Sequence, residues 1–296
     1  MIFQKKKTIV THSSHFHPDD VCAVAVIHMI LGGKYRLIRT RNMEIAQKAD
    51  FLLDFGGEHD PMRQRFDHHQ QGGAGVRENG APYASFGLVW KEYGERLCGS
   101  LSIAQSIDEN IVAPLDASDN GIDFPENKDG VAPYLFGDFL HSLNPVWSED
   151  ENSRDERFKV AVTYAVTMIS RAIDREKKNE KGREFTEAIY QSSPDKKIII
   201  LETGYPWRKV LLSHPEPLFV IYPNTQDKTW SAKAVPLGEG FKNRISFPAS
   251  WAGKRDSDLA KVSGVSDATF CHNALFLAVA KSREGAIALA KKALQA

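Results

Sequence analysis

Short apolar runs alternate with helix-length stretches over the first third of the chain. Residues 8–11 read as a buried strand, and residues 21–31 as an apolar helix closed by Gly32-Gly33. Residues 35–38 form a second strand pattern, 43–48 a short helix, and 51–54 a third strand that stops before Gly56-Gly57. This β-α-β-α-β rhythm predicts an α/β fold, a parallel sheet with helices on both faces.

From residue 85 the pattern becomes helical, with candidate helices over 85–97, 103–115, 134–143 and a long segment, 155–190. In the last, Phe158, Ala161, Val162, Ala165, Ile169 and Ala172 recur at three and four residues and give a one-sided apolar stripe. The charge-rich stretch 175–183 contains Gly182 and is a place for that helix to break or sit exposed. After Ser192-Ser193-Pro194 strands are expected over 197–201, 218–222, 230–235 and 274–280, followed by a helix over 283–294. The reading is a catalytic domain, 1–193, and a smaller C-terminal α+β domain, 194–296, that positions substrate. No internal repeat is visible.

Composition narrows the class. In 296 residues, 42% are apolar and 26% charged, as in soluble globular enzymes. Lys plus Arg and Asp plus Glu number 38 each, and this zero balance excludes a general nucleic-acid coat protein, whose affinity needs many excess cations. Cys22, Cys98 and Cys271 are scattered and form no CxxC pair, so a reducing cytoplasmic setting is expected. No apolar run reaches the roughly 18 residues of a membrane span, and the N-terminal one is too short for a signal peptide.

Four polar clusters then stand out. Strand one runs into His12-Ser13-Ser14-His15-Phe16-His17-Pro18-Asp19-Asp20, three histidines and two aspartates within nine residues. Strand three ends at Asp54, Asp67-His68-His69 follows, and the candidate helix 103–115 closes on Asp116-Ala117-Ser118-Asp119-Asn120-Gly121. Singly, each has a structural explanation as a helix cap, a turn or a core histidine. Together they end elements that one sheet would gather on one edge, where α/β folds bind ligands. Burying so many ionisable groups without a cation is costly, and a bound metal pair resolves that cost.

These residues resemble the four motifs of the DHH phosphoesterase superfamily and, within it, the melanocyte-proliferating-gene family of metal-dependent hydrolases and 3′–5′ RNA exonucleases. The similarity runs through Thr11-His12, Phe16-His17-x-Asp19, Arg39-Thr40-Arg41, Asp54-x-Gly56-Gly57-Glu58, Asp67-His68-His69-Gln70 and Asp116-Ala117-x-Asp119-Asn120-Gly121-Ile122. It returns at Phe247-Pro248-x-x-Trp251 and Ser282-Arg283-Glu284-Gly285-Ala286. Motif one departs from the superfamily: His17 holds the first Asp position, Ser14 replaces the usual glycine, and His15 and Asp20 are extra. His12, His15 and His17 therefore all remain in play as ligands.

The resemblance implies one metal on His12, His17 and Asp54 and a second on Asp19, Asp54, His68 and either Asp116 or Asp119, with Asp54 as the bridge. Two Mn²⁺ ions are expected, with Mg²⁺ or Zn²⁺ as alternatives. His69 would contact the phosphate or protonate the leaving oxygen. Arg39, Arg41, His272 and the helix start at Arg283 are candidate substrate cations. Residues 242–296 carry nine Lys/Arg against four acids, although a basic face is ordinarily just solvated. The implied substrate is RNA, a short oligonucleotide or a nucleotide, with no membrane partner and homodimerisation left open. Two rivals compete: a zinc de-N-acetylase, from His17-Pro18-Asp19-Asp20, and an inactive metal or nucleotide sensor.

Overall fold

The computed structural model describes residues 6–122, 130, 132–238 and 242–296. The chain divides into two compact units, Met1–Lys177 and Lys178–Ala296.

In the first unit, β1 (Lys7–Thr11), α1 (Pro18–Ile30), β2 (Tyr35–Arg39), α2 (Met43–Ala46) and β3 (Phe51–Leu53) follow the expected order. Two short strands come next, β4 (His59–Asp60) and β5 (Arg65–Phe66), then α3 (Ser85–Cys98), α4 (Leu101–Ile107), α5 (Ala113–Asp119) and α6 (Phe136–His141). The long helix α7 (Arg154–Ser192) begins in this unit. The strand order is β2-β1-β3-β5-β4. β1, β2, β3 and β5 are parallel, but the edge strand β4 runs antiparallel to β5. The sheet is therefore mixed, which corrects the all-parallel expectation.

Period-two alternation sends the strands' side chains to opposite faces. Ile9, Leu53 and Phe66 pack with α1, α3 and the α7 stripe Phe158, Ala161, Val162, Ala165 and Ile169 in the main core. Val10 and Leu52 face the other way, into a small cluster with Ala46 and Ala49. Residues 19 to 27 of α1 are all buried, so it is a central helix without a solvent stripe. Two helix expectations change. The run 103–115 is not one helix, because a π turn over Asp108–Val112 separates α4 from α5, beside Pro114, which lacks an N–H. The charge-rich part of α7 stays helical, and Gly182 is there because a Cβ would come within 2.5 Å of the Pro206 ring.

The second unit contains β6 (Ile198–Ile200), α8 (Arg208–Leu212), β7 (Phe219–Asn224), β8 (Thr229–Ala234), α9 (Asp256–Ser263), β9 (Ala268–Cys271), β10 (Leu277–Ala280) and α10 (Arg283–Ala293). Its sheet order is β6-β7-β8-β10-β9, with only the β6–β7 pair parallel. The last strand is shorter than expected, because residues 272 to 276 form the turn back from β9, with Leu275 at φ 57°.

Candidate metal centre and active site

Three parallel strands end on one edge of the first sheet. β1 delivers His12, β3 delivers Asp54, and β5, two residues long, delivers Asp67 and His68. The N-terminus of α1, with Pro18 in its first turn, brings His17, Asp19 and Asp20 to the same place, and the end of α5 brings Asp119. His12, Asp19, Asp20, Asp54 and Asp67 are all at most 5% exposed.

The ligand atoms fall into three overlapping groups, His12–His17–Asp54, Asp54–His68–His69 and Asp19–His68–Asp119, each with its atoms within 4.8 Å of one another. Asp54 Oδ2 lies 3.3 Å from His12 Nε2, and its Oδ1 lies 3.4 Å from His68 Nε2. His68 Nε2 is also 3.2 Å from Asp119 Oδ2, and His12 Nε2 is 3.2 Å from Asp20 Oδ2. Asp20 Oδ2, Asp54 Oδ1 and His68 Nε2 are buried yet make no hydrogen bond. Buried polar atoms are normally satisfied, so these converging orphans suit a divalent cation.

The electrostatics agree. Burial pushes the Asp19 carboxyl well up, reinforced by Asp119 and Asp54, and pushes Asp20 up to about 7. Burial also acts on Asp54, but His12 and His68 overcome it and hold that carboxyl well below the usual range. Against burial, the nearby carboxylates of Asp119 and Asp54 raise His68 to about 11, and Asp54 and Asp20 raise His12. These shifts mark excess negative charge between the carboxylates, which a cation at that place would neutralise.

Residues 8–294 match the MYG1 exonuclease family, described as an uncharacterised protein family (UPF0160). The chain belongs to this family. A MYG1 protein of Caenorhabditis elegans is 31% identical over 97% of this chain and 95% of its own. The Homo sapiens protein named MYG1 exonuclease is 29% identical over 97% and 85%, and a MYG1 protein of Chlamydia muridarum is 30% identical over 95% and 94%.

The two aspartates of α5 part company. Asp119 joins the His68 group, whereas Asp116 accepts from Gly87 N at 3.0 Å and from Arg77 at 2.7 Å. Asp116 stands outside all three groups, and burial, against the pull of Arg77, raises its carboxyl to about 7. Asp19 has a second duty, accepting from the backbone N–H of Ser85 and Phe86 at 3.0 and 2.6 Å. Asp67 is a holder: its carboxylate receives Gly57 N, His68 N and His69 N and contacts His69 Nδ1 at 2.7 Å. His69 is oriented by that contact and lines a cavity of about 450 Å³ with His12, His17, Arg41, Asp54 and Asp67.

Of the expected substrate cations, Arg41 lines that cavity. Arg39 does not. It donates to Ser14 O at 2.8 Å and Asp155 at 3.0 Å and stacks on Phe158, so it props the motif-one loop, where Ser14 takes φ 79° in glycine's usual place. In the second unit, His272 Nδ1 accepts from Ala274 N. The start of α10 already has an anion: Asp267 accepts from Ser282 N at 2.9 Å, and a Cβ on Gly285 would meet that carboxylate at 2.2 Å. An anion site at Arg283 is therefore blocked by charge and space. Sequence reasoning passed over Arg77 and His141. Nothing local marks Arg77, whose carboxylate partners lie 31 and 39 residues away.

Proposed function

We propose that this chain is a divalent-metal-dependent phosphodiester hydrolase that trims RNA or short oligonucleotides from the 3′ end. The observation that carries the reading is the pair of ligand groups His12–His17–Asp54 and Asp19–His68–Asp119, linked by the 3.4 Å approach of Asp54 to His68, with buried, unsatisfied ligand atoms converging on one sheet edge. Relatives named exonuclease support the nucleic-acid substrate, and no helix among the described residues is long and apolar enough to cross a membrane. A de-N-acetylase would use the motif-one residues and leave Asp54, His68 and Asp119 without a purpose.

His12, His17 and Asp54 would hold one ion, and Asp19, His68 and Asp119 the other, with Asp54 common to both. The mixed imidazole and carboxylate set suits manganese. Bound ions of this kind supply a hydroxide at neutral pH and neutralise phosphate charge. Arg41 adds a fixed positive charge to the cavity. His69, steered by Asp67, carries the proton to the leaving oxygen. His69→Ala should therefore keep its metal and lose about 10²–10⁴-fold in turnover, while His68→Ala should lose metal as well. Metal stoichiometry beside rate separates the two, and equal metal loss in both would remove the proton-transfer role.

A second test uses pH. Chelation should abolish activity and manganese restore it; full activity after exhaustive chelation would refute the proposal. In the chelated protein Asp19, Asp20 and Asp116 hold protons that the unfolded chain has already released. The folded form then binds more protons between the ordinary carboxylate range and pH 7, so its stability falls as pH rises through that window. Retained protons on His68, raised to about 11, extend the fall to higher pH. Manganese should reduce this slope, because metal uptake displaces the protons of Asp19 and His68 and leaves that of Asp116. Melting temperatures at pH 5 and 8, with and without manganese, measure it, and parallel slopes would count against metal uptake by this cluster.

A further inference from the structure

Two cavities adjoin on the α5–α6 side of the cluster, away from His69. The inner one, about 250 Å³, is walled by His17, Pro18, Asp119 and His141. The outer one, about 360 Å³, is walled by Ile111, Pro114, Leu135, Phe136 and Met168. Leu115, Ser118, Gly137 and Asp138 line both, so the groove is polar beside the metal ligands and apolar at its far end. A Cβ on Gly137 would stand 3.3 Å from Leu115 Cδ2 and 3.5 Å from Pro18 Cγ, at the junction that a side chain would crowd. Phe136 is held in place by Phe139 at 6.0 Å, itself edge-on to Tyr164 at 5.1 Å.

We propose that this groove receives the nucleoside of the substrate's terminal residue, with its base against Phe136, Leu115 and Met168. The inference deepens the phosphodiesterase reading and rests on it for the phosphate at the His17–Asp119 end. A nucleotide has the same polarity as the groove: charge at one end, hydroxyls in the middle and a flat, weakly polar ring at the other. Ser118 and Asp138 stand at the middle. An internal residue would carry a second phosphate against the apolar walls, at a desolvation cost that no cation among the described lining residues offsets. The nucleoside that fits is therefore the last of the chain. The remaining phosphates are left to the polar cavity of Arg41 and His69, which meets the inner cavity at His17.

Calorimetric titration of the manganese-loaded full chain with adenosine 5′-monophosphate and with ribose 5-phosphate tests this directly. The nucleotide should bind at least about ten-fold tighter, the scale of one base on an aromatic platform. Phe136→Ala removes the platform and Met168→Trp fills the far end. Each should weaken the nucleotide by about ten-fold and leave the two ligands nearly equal. Wild-type protein that binds both ligands alike overturns the proposal, as does a nucleotide preference that survives both variants. If the preference behaves as expected but no oligonucleotide is cleaved, the phosphodiesterase reading falls and the nucleoside pocket stands.

Discussion

Asp54→Asn should empty the cluster of metal and cost more activity than the roughly 10²–10⁴-fold that accompanies loss of one acid–base group. Among the described residues, Asp54 is the one whose two oxygens face both histidines, 3.3 Å from His12 and 3.4 Å from His68. The substitution is clean for a backbone reason. Asp54 sits at φ 50°, in the left-handed region that asparagine tolerates and most residues avoid. Asn keeps the turn and the size, removes the charge and replaces one acceptor oxygen with an NH2 donor. Its neutral amide also removes the main counter-charge of His12 and one of the two carboxylates that raise His68, the other being Asp119. Metal content and initial rate should fall together while the circular dichroism spectrum holds. A variant that keeps two ions per chain and more than a hundredth of the wild-type rate would show that Asp54 does not bridge.

Arg77→Met should be the most damaging substitution for stability among residues outside the ligand groups. The guanidinium is 8% exposed, bidentate to Asp108 at 2.7 and 2.8 Å, bonded to Asp116 at 2.7 Å and to Pro82 O, and lies over the Tyr83 ring. Without it, a buried carboxyl on Asp116 keeps only its backbone donors. Breaking such a pair costs about 3–5 kcal/mol, a fall in melting temperature on the order of 10 °C for a unit of this size. The loss should grow with pH, since Asp116 can escape part of the penalty by staying protonated. Asp116→Asn in the Arg77→Met background should recover part of the loss, as a double-mutant cycle would show. A melting temperature within 2 °C (roughly 1 kcal/mol or less) of wild type would mean that Asp116 is not anchored as described.

The legible parts of the fold were those with a long, uninterrupted pattern. β1, β2, β3 and α3 stand within a residue or two of where the apolar runs put them. The helix α1 starts three residues before its apolar run, because its N-cap is His17 rather than a Ser, Thr, Asp or Asn and the helix opens on Pro18. Two-residue strands carry no periodicity, so β5 was invisible, although it is the element that aligns Asp67 and His68 with Asp54. The clusters could be seen to converge because strands β1 and β3 end beside them. What separates Asp116 from Asp119 was not legible. They share one helix end, and only the location of Arg77, far away in sequence, turns the first inward to structure and leaves the second for the cluster.

The first turn of α3 is fixed from a distance. Its N-cap residue, Ala84, offers no side-chain acceptor. The amides of Ser85 and Phe86 go to Asp19, 66 and 67 residues earlier, and that of Gly87 to Asp116, 29 residues later. No local segment can nucleate this turn, so its ordering waits for long loops to close, the slow kind of step in folding. Assembly of the helix start and assembly of the acidic edge are then a single late event: the carboxylates of Asp19 and Asp116 reach their places only together with the turn they cap.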